Sequence, residues 1–394
     1  MSRDVVLIDG ARTAFGSFGG GLKALSATEL GVVAAKGALE RSGVSPNDVD
    51  HASFGNVMQT SGDAIYLARH IALKSGVPID RPAITMNRIC GSGLQAIIYG
   101  AQLIQLGEAE VVLAGGAENM SQTPHVIRGA RWGLPLGQSA LEDSLWVSLV
   151  DPYCNLGMAN TAENLARQYK ISREEVDAFG FRSHQAAIAA TKAGTLREEM
   201  VPVMLKDRKG NQTEFLTDEH IRHDADLAKM ATLRPVFDKD GVVTAGNASG
   251  INDGAAAVVL MSAEAAKSRK LTPLGLVVAW DYVGVPPEIM GIGPAHSIRR
   301  LWKKAGHTDA DIDLYEINEA FSAQYLAVEK ELGLNRDKVN VNGGAVALGH
   351  PLGASGTRLA LTLLYELRRR KARRGIASLC IGGGQGIAAL FERV

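Results

Sequence analysis

The chain has 394 residues, of which 46% are hydrophobic and 21% charged, and its 42 basic and 42 acidic side chains cancel. A single domain typically contains ~100–150 residues, so this length predicts two or three packed units. The neutral balance provides no overall field that would attract nucleic acid or an anionic membrane, and we predict neither partner. The three cysteines, Cys90, Cys154 and Cys380, form no disulfide framework and no CxxC zinc pattern. They predict a reducing compartment and no metal site.

The N-terminal sequence MSRDVVLIDGARTAFG places Asp4 and Asp9 around a run of only four apolar residues. This run is too short and too charged for a secretory signal, and it differs from the Arg-rich, acid-poor pattern of a transit peptide. No stretch of the chain approaches the ~20 apolar residues of a membrane span. The sequence therefore predicts a cytoplasmic protein.

The first candidate for catalysis is a cysteine in the first quarter of the chain. The apolar run PAITMN leads into NRICGSGLQA, and the helical pattern LQAIIYGAQLI leads out of it, so Cys90 is predicted to lie at a strand-to-helix turn. The free N–H groups and the positive dipole end of a helix start stabilise a thiolate, which favours a nucleophile. Cysteine is also among the most often buried residue types, so a packed side chain is the alternative.

The region from roughly Asn119 to Ile251 differs from the rest of the chain. It contains RGARWGLPLGQ and then a long helical stretch, in which Ser172 and Glu175 have the spacing of a capping box. A long insertion of this kind commonly supplies a substrate-binding lid or an oligomer contact. A surface decoration is the alternative.

Near the end of this region, TAGNASGINDGAAAVVL surrounds Ser249 with small residues. Such a loop allows a nucleotide tail to approach the backbone closely, and a plain turn is the alternative. Met158 and Met290 are candidates for the wall of an acyl pocket, although methionine more often fills gaps in a core.

The second half of the chain repeats the pattern of the first. LERSGVSPNDVDHASFGNV, from Leu39, corresponds to LWKKAGHTDADIDLYEINEA, from Leu301; CGSGLQA at Cys90 corresponds to GASGTRLA at Gly353; and AEVVLAGGAENM corresponds to IASLCIGGGQG. Three segments in the same order indicate two halves with one βαβα fold, each with a mixed, mainly parallel sheet. Equivalent turns should then meet near a pseudo-two-fold axis, beyond the carboxyl ends of the strands, where α/β sheets bind ligands.

Three more polar residues lie on such turns. His350, in GGAVALGHPLGASG, is suited to accept a thiol proton, with a structural histidine as the alternative. Cys380 lies in the strand of IASLCIGGGQG, and glycines 382–384 expose N–H groups suited to a developing oxyanion, with a buried core cysteine as the alternative. Asn318, in EINEAF, carries an amide that can fix a water or an oxygen, with a turn or capping role as the alternative.

Taken together, these motifs resemble the thiolase family over essentially the whole chain. The motifs are NRICGSGLQA, GGAENMS, TAGNASGINDGAAA, NEAF, GGAVALGHPLGASG and CIGGGQG. The resemblance implies a duplicated α/β fold with five layers, αβαβα, and two mixed, mainly parallel sheets. It divides the chain into an N-terminal half (1–118 with 252–270), a loop domain for oligomerisation and coenzyme A binding (119–251), and a C-terminal half (271–394).

The resemblance also implies a role for each site residue. Cys90 attacks an acyl-CoA thioester and becomes acylated, while His350 takes its proton. Cys380 abstracts the α-proton of a second acyl-CoA, or protonates the leaving acetyl-CoA in the reverse direction. Asn318 holds a water that forms one oxyanion hole with His350, and the N–H groups of Cys90 and Gly382 form the other. The further substrate contacts that it implies are Ser249, Arg222, Met158, Met290, Phe321, Phe237 and Ala320.

The implied reaction is a reversible, CoA-dependent Claisen condensation or thiolysis with ping-pong kinetics. Acyl-CoA and CoA are the implied partners, the implied assembly is a homotetramer, and no cofactor is needed because coenzyme A is a substrate. Gly157 and Ala159, around Met158, depart from the family pattern beside the acyl pocket. This departure leaves both an acetoacetyl-CoA thiolase and a broad-range or degradative 3-ketoacyl-CoA thiolase open. Cys154 has no counterpart among the family's functional residues.

Two other function classes are compatible with parts of the pattern. A decarboxylating ketoacyl synthase on the same fold would use Cys-His-His or Cys-His-Asn and would not need Cys380 as a base. A non-catalytic acyl-CoA or lipid carrier would not need the complete Cys-Asn-His-Cys set.

Overall fold

The computed structural model describes residues 3–137, 140–207 and 209–394. Its strands, in chain order, are β1 (Val5–Thr13), β2 (Gly16–Ser17), β3 (His51–Gly55), β4 (Ala83–Met86), β5 (Val111–Asn119), β6 (His125–Val126), β7 (Glu142–Asp143), β8 (Val150–Asp151), β9 (Leu156–Gly157), β10 (Met200–Val201), β11 (Val203–Lys206), β12 (Gln212–Phe215), β13 (Asn252–Ser262), β14 (Gly275–Gly284), β15 (Leu314–Ile317), β16 (Arg374–Ile381) and β17 (Gln385–Arg393).

The α-helices, in the same order, are α1 (Ala27–Ser42), α2 (Leu67–Lys74), α3 (Ser92–Leu106), α4 (Ser144–Ser148), α5 (Met158–Tyr169), α6 (Arg173–Lys192), α7 (Leu227–Ala231), α8 (Ala263–Ser268), α9 (Gly293–Ala305), α10 (Ser322–Leu332), α11 (Ala345–Leu348) and α12 (Leu352–Arg370). The capping box expected at Ser172 and Glu175 is present at the start of α6, which confirms that element of the sequence pattern.

Each half of the chain forms one mixed sheet. In the first half the strand order is β4-β3-β5-β13-β1, and β13 runs against the other four. In the second half the order is β15-β16-β17-β14, and β17 runs against the other three. The edge strands of the two sheets pair with each other, Val6 and Leu7 of β1 with Leu276 and Gly275 of β14, so hydrogen bonds run continuously from one sheet to the other. Most strands of each sheet therefore share one direction, as the repeat predicts.

The repeat is visible in the positions of equivalent elements. Helices α1 and α9 both end at a left-handed glycine, Gly43 with φ 66° and Gly306 with φ 70°, and these glycines are 263 residues apart. The starts of β3 and β15, and those of β5 and β16, differ by the same number of residues. The duplicated fold expected from the sequence is thus confirmed.

The helices occupy three layers around the two sheets. Helices α1 and α2 pack on the strands of the first half, and α9 packs on the strands of the second half. Helices α3 and α12 pack against each other, and α12 contacts strands of both halves. The order is therefore αβαβα, which confirms the five-layered expectation. Strand β5 is buried along its whole length, because helices cover both of its faces.

Helix α3 and the turn before it form the single described segment, Ile89–Leu106, that by length and composition could cross a membrane. Most of this segment is buried in the protein, and its place in the central layer accounts for its apolar character.

Glycines allow the two central helices to approach each other closely. A Cβ atom on Gly93 would lie 2.7 Å from the Gly353 carbonyl oxygen, and one on Gly356 would lie 2.3 Å from the Leu94 nitrogen. Any larger residue at these positions would force the helices apart, so the contact requires glycine. The close approach brings the N-terminal ends of α3 and α12 together.

The inserted region is tied to the first sheet by a buried ion cluster. The Arg12 guanidinium of β1 donates to Glu199 at 2.6 Å and to both carboxylate oxygens of Asp218, at 2.8 and 3.0 Å. The three side chains are almost fully buried. Removing one charge of such a cluster leaves the others uncompensated, so this contact fixes the insertion against the sheet.

Candidate active site

A cavity of about 540 Å³ lies where the N-terminal ends of α3 and α12 meet the inserted region. Most of the site residues predicted from the sequence line it: Cys90, His350, Gly382, Ser249, Met158, Met290, Phe321, Phe237 and Ala320. Cys380 and Asn318 are fully buried and do not line it themselves. Arg222 is exposed and also lies outside the lining; its backbone N–H donates to His184 Nδ1 at 3.2 Å.

Cys90 lies one residue before Gly91, the N-cap of α3. The preceding residue, Ile89, has φ 46°, a left-handed conformation that is unfavourable for a β-branched side chain. The Asn87 side chain holds it there by accepting the Ile89 N–H at 2.8 Å. The backbone strain before the nucleophile candidate is thus stabilised by local hydrogen bonds, a pattern found at functional sites.

The environment of Cys90 keeps its thiol protonated at neutral pH. Burial raises the pKa of Cys90 to about 12, and the nearby Glu118 carboxylate adds to the rise. The backbone N–H groups of Gly382 and of Cys90 itself oppose it, because both face the sulfur. The start of α3 does not by itself produce a thiolate, so Cys90 needs a base. The same two N–H groups are placed to stabilise negative charge that develops beside the sulfur.

His350 lies one residue before Pro351, the N-cap of α12, and so occupies the position that Cys90 occupies before α3. Its backbone N–H donates to the Asn252 side chain at 3.1 Å. Its Nδ1 lies 2.6 Å from the Ser355 hydroxyl, and that hydroxyl donates its own hydrogen to the Pro351 carbonyl at 2.9 Å. Ser355 must therefore accept from Nδ1–H, which makes Nε2 of His350 the unprotonated nitrogen that acts as an acceptor.

Burial also sets the charge state of His350. Burial and, to a smaller extent, the positive charge of Arg358 lower the pKa of His350 to about 3. The imidazole is therefore neutral at neutral pH and able to take a proton. A neutral thiol and a neutral imidazole line the same cavity.

Asn318 follows β15 and its side-chain Nδ2 lies 3.3 Å from His350 Nε2. Its backbone N–H donates to the Ser378 carbonyl of β16 at 2.9 Å, which fixes the residue against the neighbouring strand. The Asn318 Oδ1 atom is buried and has no hydrogen-bond partner within the described part of the chain. A buried orphan acceptor is suited to a bound water molecule.

Cys380 is the penultimate residue of β16 and is fully buried. It packs with Met290 and Ala320, and Met158 and Phe321 complete this small apolar cluster. Burial raises the pKa of Cys380, and the neighbouring Cys90 adds to the rise. The two cysteines from opposite halves therefore lie close enough to influence each other's charge.

Sequence reasoning missed three polar residues that organise this site. Ser355 orients His350, Asn252 holds the His350 backbone, and Glu118 contacts the start of α12. All three lie inside motifs whose other members were singled out, so the motifs themselves were the available signal. It also missed Trp146, which stacks on Phe237 with ring centroids 6.4 Å apart, both rings lining the cavity.

The fold and the site define a class of enzyme, one that transfers acyl groups through a cysteine thioester. Two similar α/β halves bring a cysteine and a histidine together before their central helices, and a second cysteine lies beneath them. Backbone N–H groups face the first thiol, as acyl transfer through a thioester requires.

Comparison with known proteins identifies the family. The model of the thiolase N-terminal domain matches residues 5–264, and that of the thiolase C-terminal domain matches residues 271–393. The human protein named mitochondrial 3-ketoacyl-CoA thiolase is 52% identical over 393 residues, which cover all of this chain and 99% of its own. The Chromobacterium violaceum protein named acetyl-CoA acetyltransferase is 51% identical over 99% of this chain and all of its own.

A crystal structure of human mitochondrial 3-ketoacyl-CoA thiolase in complex with CoA superposes with a TM-score of 0.96 at 51% identity, covering 100% of this chain and 98% of that one. The chain belongs to the thiolase family. The family recognised from the sequence motifs is thereby confirmed, as is the prediction that the protein is an acyltransferase.

The prediction of a cytoplasmic location was wrong, because highly similar relatives are named mitochondrial. Free cysteines and a neutral charge are shared by proteins of any reducing compartment, so they carry no finer information.

Proposed function

We propose that this protein interconverts acyl-CoA and 3-ketoacyl-CoA thioesters by Claisen condensation and thiolysis, through an acyl group carried on Cys90. One observation carries the proposal: a neutral thiol and a neutral imidazole line one cavity, with two backbone N–H groups facing the thiol and a second cysteine beneath. This arrangement supports both acyl capture and proton abstraction from a second substrate.

In the first half-reaction the Cys90 sulfur attacks the thioester carbonyl carbon and its proton passes to His350 Nε2. The carbon–sulfur bond to CoA breaks, and the CoA thiolate leaves with the proton from His350. In the second half-reaction the Cys380 thiol first passes its proton to His350, and the Cys380 thiolate then removes the α-proton of acetyl-CoA. The resulting carbanion attacks the acyl carbon, the bond from that carbon to the Cys90 sulfur breaks, and the Cys90 thiolate takes the proton held by His350. The N–H groups of Cys90 and Gly382 stabilise the oxyanion of the acyl group. Asn318, through a water, and His350 stabilise the enolate oxygen.

Coenzyme A is the substrate carrier that this cavity suits best. The homologous human protein binds CoA in its crystal structure, and this chain superposes on it over its full length. Ser249, Phe237 and Phe321 lie in the cavity wall, where they provide a small-residue turn and aromatic faces for the CoA moiety. Exposed apolar side chains of the inserted region support a homotetramer: Trp132, Leu134, Leu136, Leu141 and Tyr153.

Mass spectrometry after incubation with acetyl-CoA tests the mechanism. We expect one acetyl adduct on Cys90 of the wild type and none in Cys90→Ser. In Cys380→Ser the adduct should still form, while turnover falls by about 10³-fold or more, because the second base is lost. Cys154→Ser is the matched control, and it should behave as wild type because Cys154 does not line the cavity. An active wild type without an adduct on Cys90 would contradict the proposal.

A broad acyl range is the second candidate, and Gly157 favours it. Gly157 lines the cavity with an ordinary backbone φ of −66°, so the backbone does not require glycine there. A Cβ atom would meet only the end of the Asn160 side chain, at 2.9 Å, and the Leu149 carbonyl, at 3.9 Å. The missing side chain therefore leaves free volume beside Met158, which supports substrates longer than acetoacetyl-CoA.

Substituting Gly157 tests this second candidate. In Gly157→Val we expect kcat/KM for 3-ketohexanoyl-CoA to fall about tenfold or more, with that for acetoacetyl-CoA within threefold, since about two methylenes of apolar contact are at stake. Gly62→Val is the control, because a Cβ there meets nothing within 4 Å and lies outside the cavity. A wild type with negligible activity on the longer substrate would remove the broad-range reading.

A further inference from the structure

A fully buried carboxylate lies beside the active site without a part in the chemistry described above. Glu118 is at the carboxyl end of β5. Its Oε1 accepts hydrogen bonds from the Asn56 side chain and the Met58 backbone N–H, both at 3.0 Å. Its Oε2 accepts the backbone N–H groups of Val57, at 3.1 Å, and Gly353, at 2.8 Å.

These four hydrogen bonds determine the charge of Glu118. All four partners are donors, and each carboxylate oxygen accepts two of these hydrogen bonds. A proton on either oxygen would therefore find no acceptor. Burial raises the pKa of Glu118 to about 7, while the N–H groups of Met58, Gly353 and Val57 oppose that rise. A carboxylate that accepts several backbone N–H bonds is held in its charged form. We therefore assign a negative charge to Glu118 when the site is assembled.

Glu118 connects the two halves of the chain at the catalytic centre. Residues 56–58 follow β3 of the first half, whereas Gly353 is in the first turn of α12, three residues after His350. A Cβ atom on Gly353 would lie within 3.0 Å of Glu118 Oε2 and 2.8 Å of the Gly55 carbonyl oxygen, so the elements are in tight contact. In the repeat, Ala117 of β5 corresponds to Cys380 of β16, which comes 263 residues later. Glu118 thus follows the position that carries the second cysteine in the other half.

We propose that Glu118 is a positioning residue whose carboxylate holds the start of α12, and with it His350, against the turn that carries Cys90. The inference rests on the proposed function, because it assumes that Cys90 is the nucleophile. Three of its four donors are backbone groups, which an amide in place of the carboxylate cannot satisfy on both sides.

Two variants disrupt the hydrogen bonds of Glu118 in different ways. Glu118→Gln removes the charge and leaves two N–H groups facing an NH₂ group. We expect turnover to fall at least tenfold, because the start of α12 and His350 are no longer held in place, while alkylation of Cys90 by iodoacetamide at pH 8 stays within threefold of the wild-type rate. Glu118→Asp keeps the charge but is too short to reach all four donors. It should lose turnover similarly and alkylate within threefold of the wild-type rate.

Glu163→Gln is the matched control. Glu163 is another buried glutamate that accepts backbone N–H groups, those of Val242 and Val243, but it lies outside the cavity and is not among the charges acting on Cys90. It should leave turnover and the alkylation rate of Cys90 within twofold of wild type. Mass spectrometry assigns the alkylated residue in each variant.

The outcomes are distinguishable. A Glu118→Gln variant with wild-type turnover overturns the positioning role, and one whose Cys90 alkylation falls as far as its turnover shows a general loss of structure instead of a displaced His350. If Glu118→Gln does not fold, wild-type turnover of Glu118→Asp overturns the proposal, because a shortened side chain cannot keep the Gly353 contact. Failure of the wild type to form acetyl-Cys90 would instead contradict the proposed function and would not bear on Glu118 alone.

Discussion

The turns before α3 and α12 occupy the same position in the two halves, yet they hold their key residues in opposite ways. Cys90, before α3, is half-buried and follows Ile89, whose backbone is strained with φ 46°. His350, before α12, is 5% exposed, and Ser355, Asn318 and Asn252 hydrogen-bond its ring and backbone. The first turn presents a side chain to the cavity, and the second immobilises one.

The difference separates two contributions to the site: duplication of the fold places the two turns, and the local sequence decides the role of each. Duplication brings two equivalent helix starts together, because the central helices α3 and α12 pack against each other. It does not decide which turn carries the nucleophile. That division follows from neighbouring side chains: the second turn has a serine one helical turn into α12 that accepts from the imidazole, and the first turn has none at the thiol.

Replacing His350, the residue that the second turn immobilises, should have the largest effect on the acetylation of Cys90. In His350→Asn we expect acetylation of Cys90 by acetyl-CoA to slow about 10³-fold, because a positioned general base typically contributes 10²–10⁴-fold. Alkylation of Cys90 by iodoacetamide should stay within threefold of wild type, since the thiol keeps its exposure. His51→Asn, at the start of β3 and outside the cavity, is the control. Equal loss of both reactions would mean that the two turns are not independent.

Removing the serine that orients the imidazole should have a smaller effect. Ser355→Ala deletes the acceptor of His350 Nδ1–H, and we expect kcat to fall about tenfold, as for one hydrogen bond of about 1.4 kcal/mol. Ser355→Thr, which keeps the hydroxyl, should recover most of the rate. Ser297→Ala is the matched control, because it removes a buried hydroxyl that donates a hydrogen bond to the Pro294 carbonyl in the first turn of α9. Wild-type activity of Ser355→Ala would show that packing alone orients His350.

A change of pH should have the smallest effect on the rate of Cys90 acetylation. His350 has a pKa of about 3 and Cys90 one of about 12, so lowering the pH protonates the imidazole only well below 6, and raising it ionises the thiol only well above 9. The neutral pair persists between these limits, and Cys90 acetylation, followed by mass spectrometry, should change less than threefold from pH 8 to pH 9, above the pKa of Glu118. A sigmoidal rise with a midpoint between 8 and 9 would indicate that the thiol ionises in this range instead.

The fold was predictable because its signals are local and repeated. Buried strands such as VVLAGG, glycine-terminated helices and the capping box at Ser172 each follow from a few neighbouring residues. The site was predictable to the extent that chemistry-bearing residues lay in glycine-rich turns, which placed Cys90, His350 and Gly382 in one cavity. The assignment of roles came from the resemblance to a family and not from spacing.

Contacts between distant segments were not predictable. Glu118 contacts Gly353 across 235 residues, and Asn252 contacts His350 across 98. The stretch around each residue contains no sign of a partner so far away. The state of the Cys90 thiol was missed for the same reason, because a helix start favours a thiolate locally and burial by the whole fold outweighs it.

The glycine contact between the central helices has a consequence for the order in which the protein matures. Gly93 and Gly356 belong to segments more than 260 residues apart, and the thiol and the imidazole approach each other only when those segments dock. Large chains fold domain by domain during synthesis, with the N-terminal part first. A nascent chain therefore exposes Cys90 before its base exists, and catalytic competence arises only when the two halves dock.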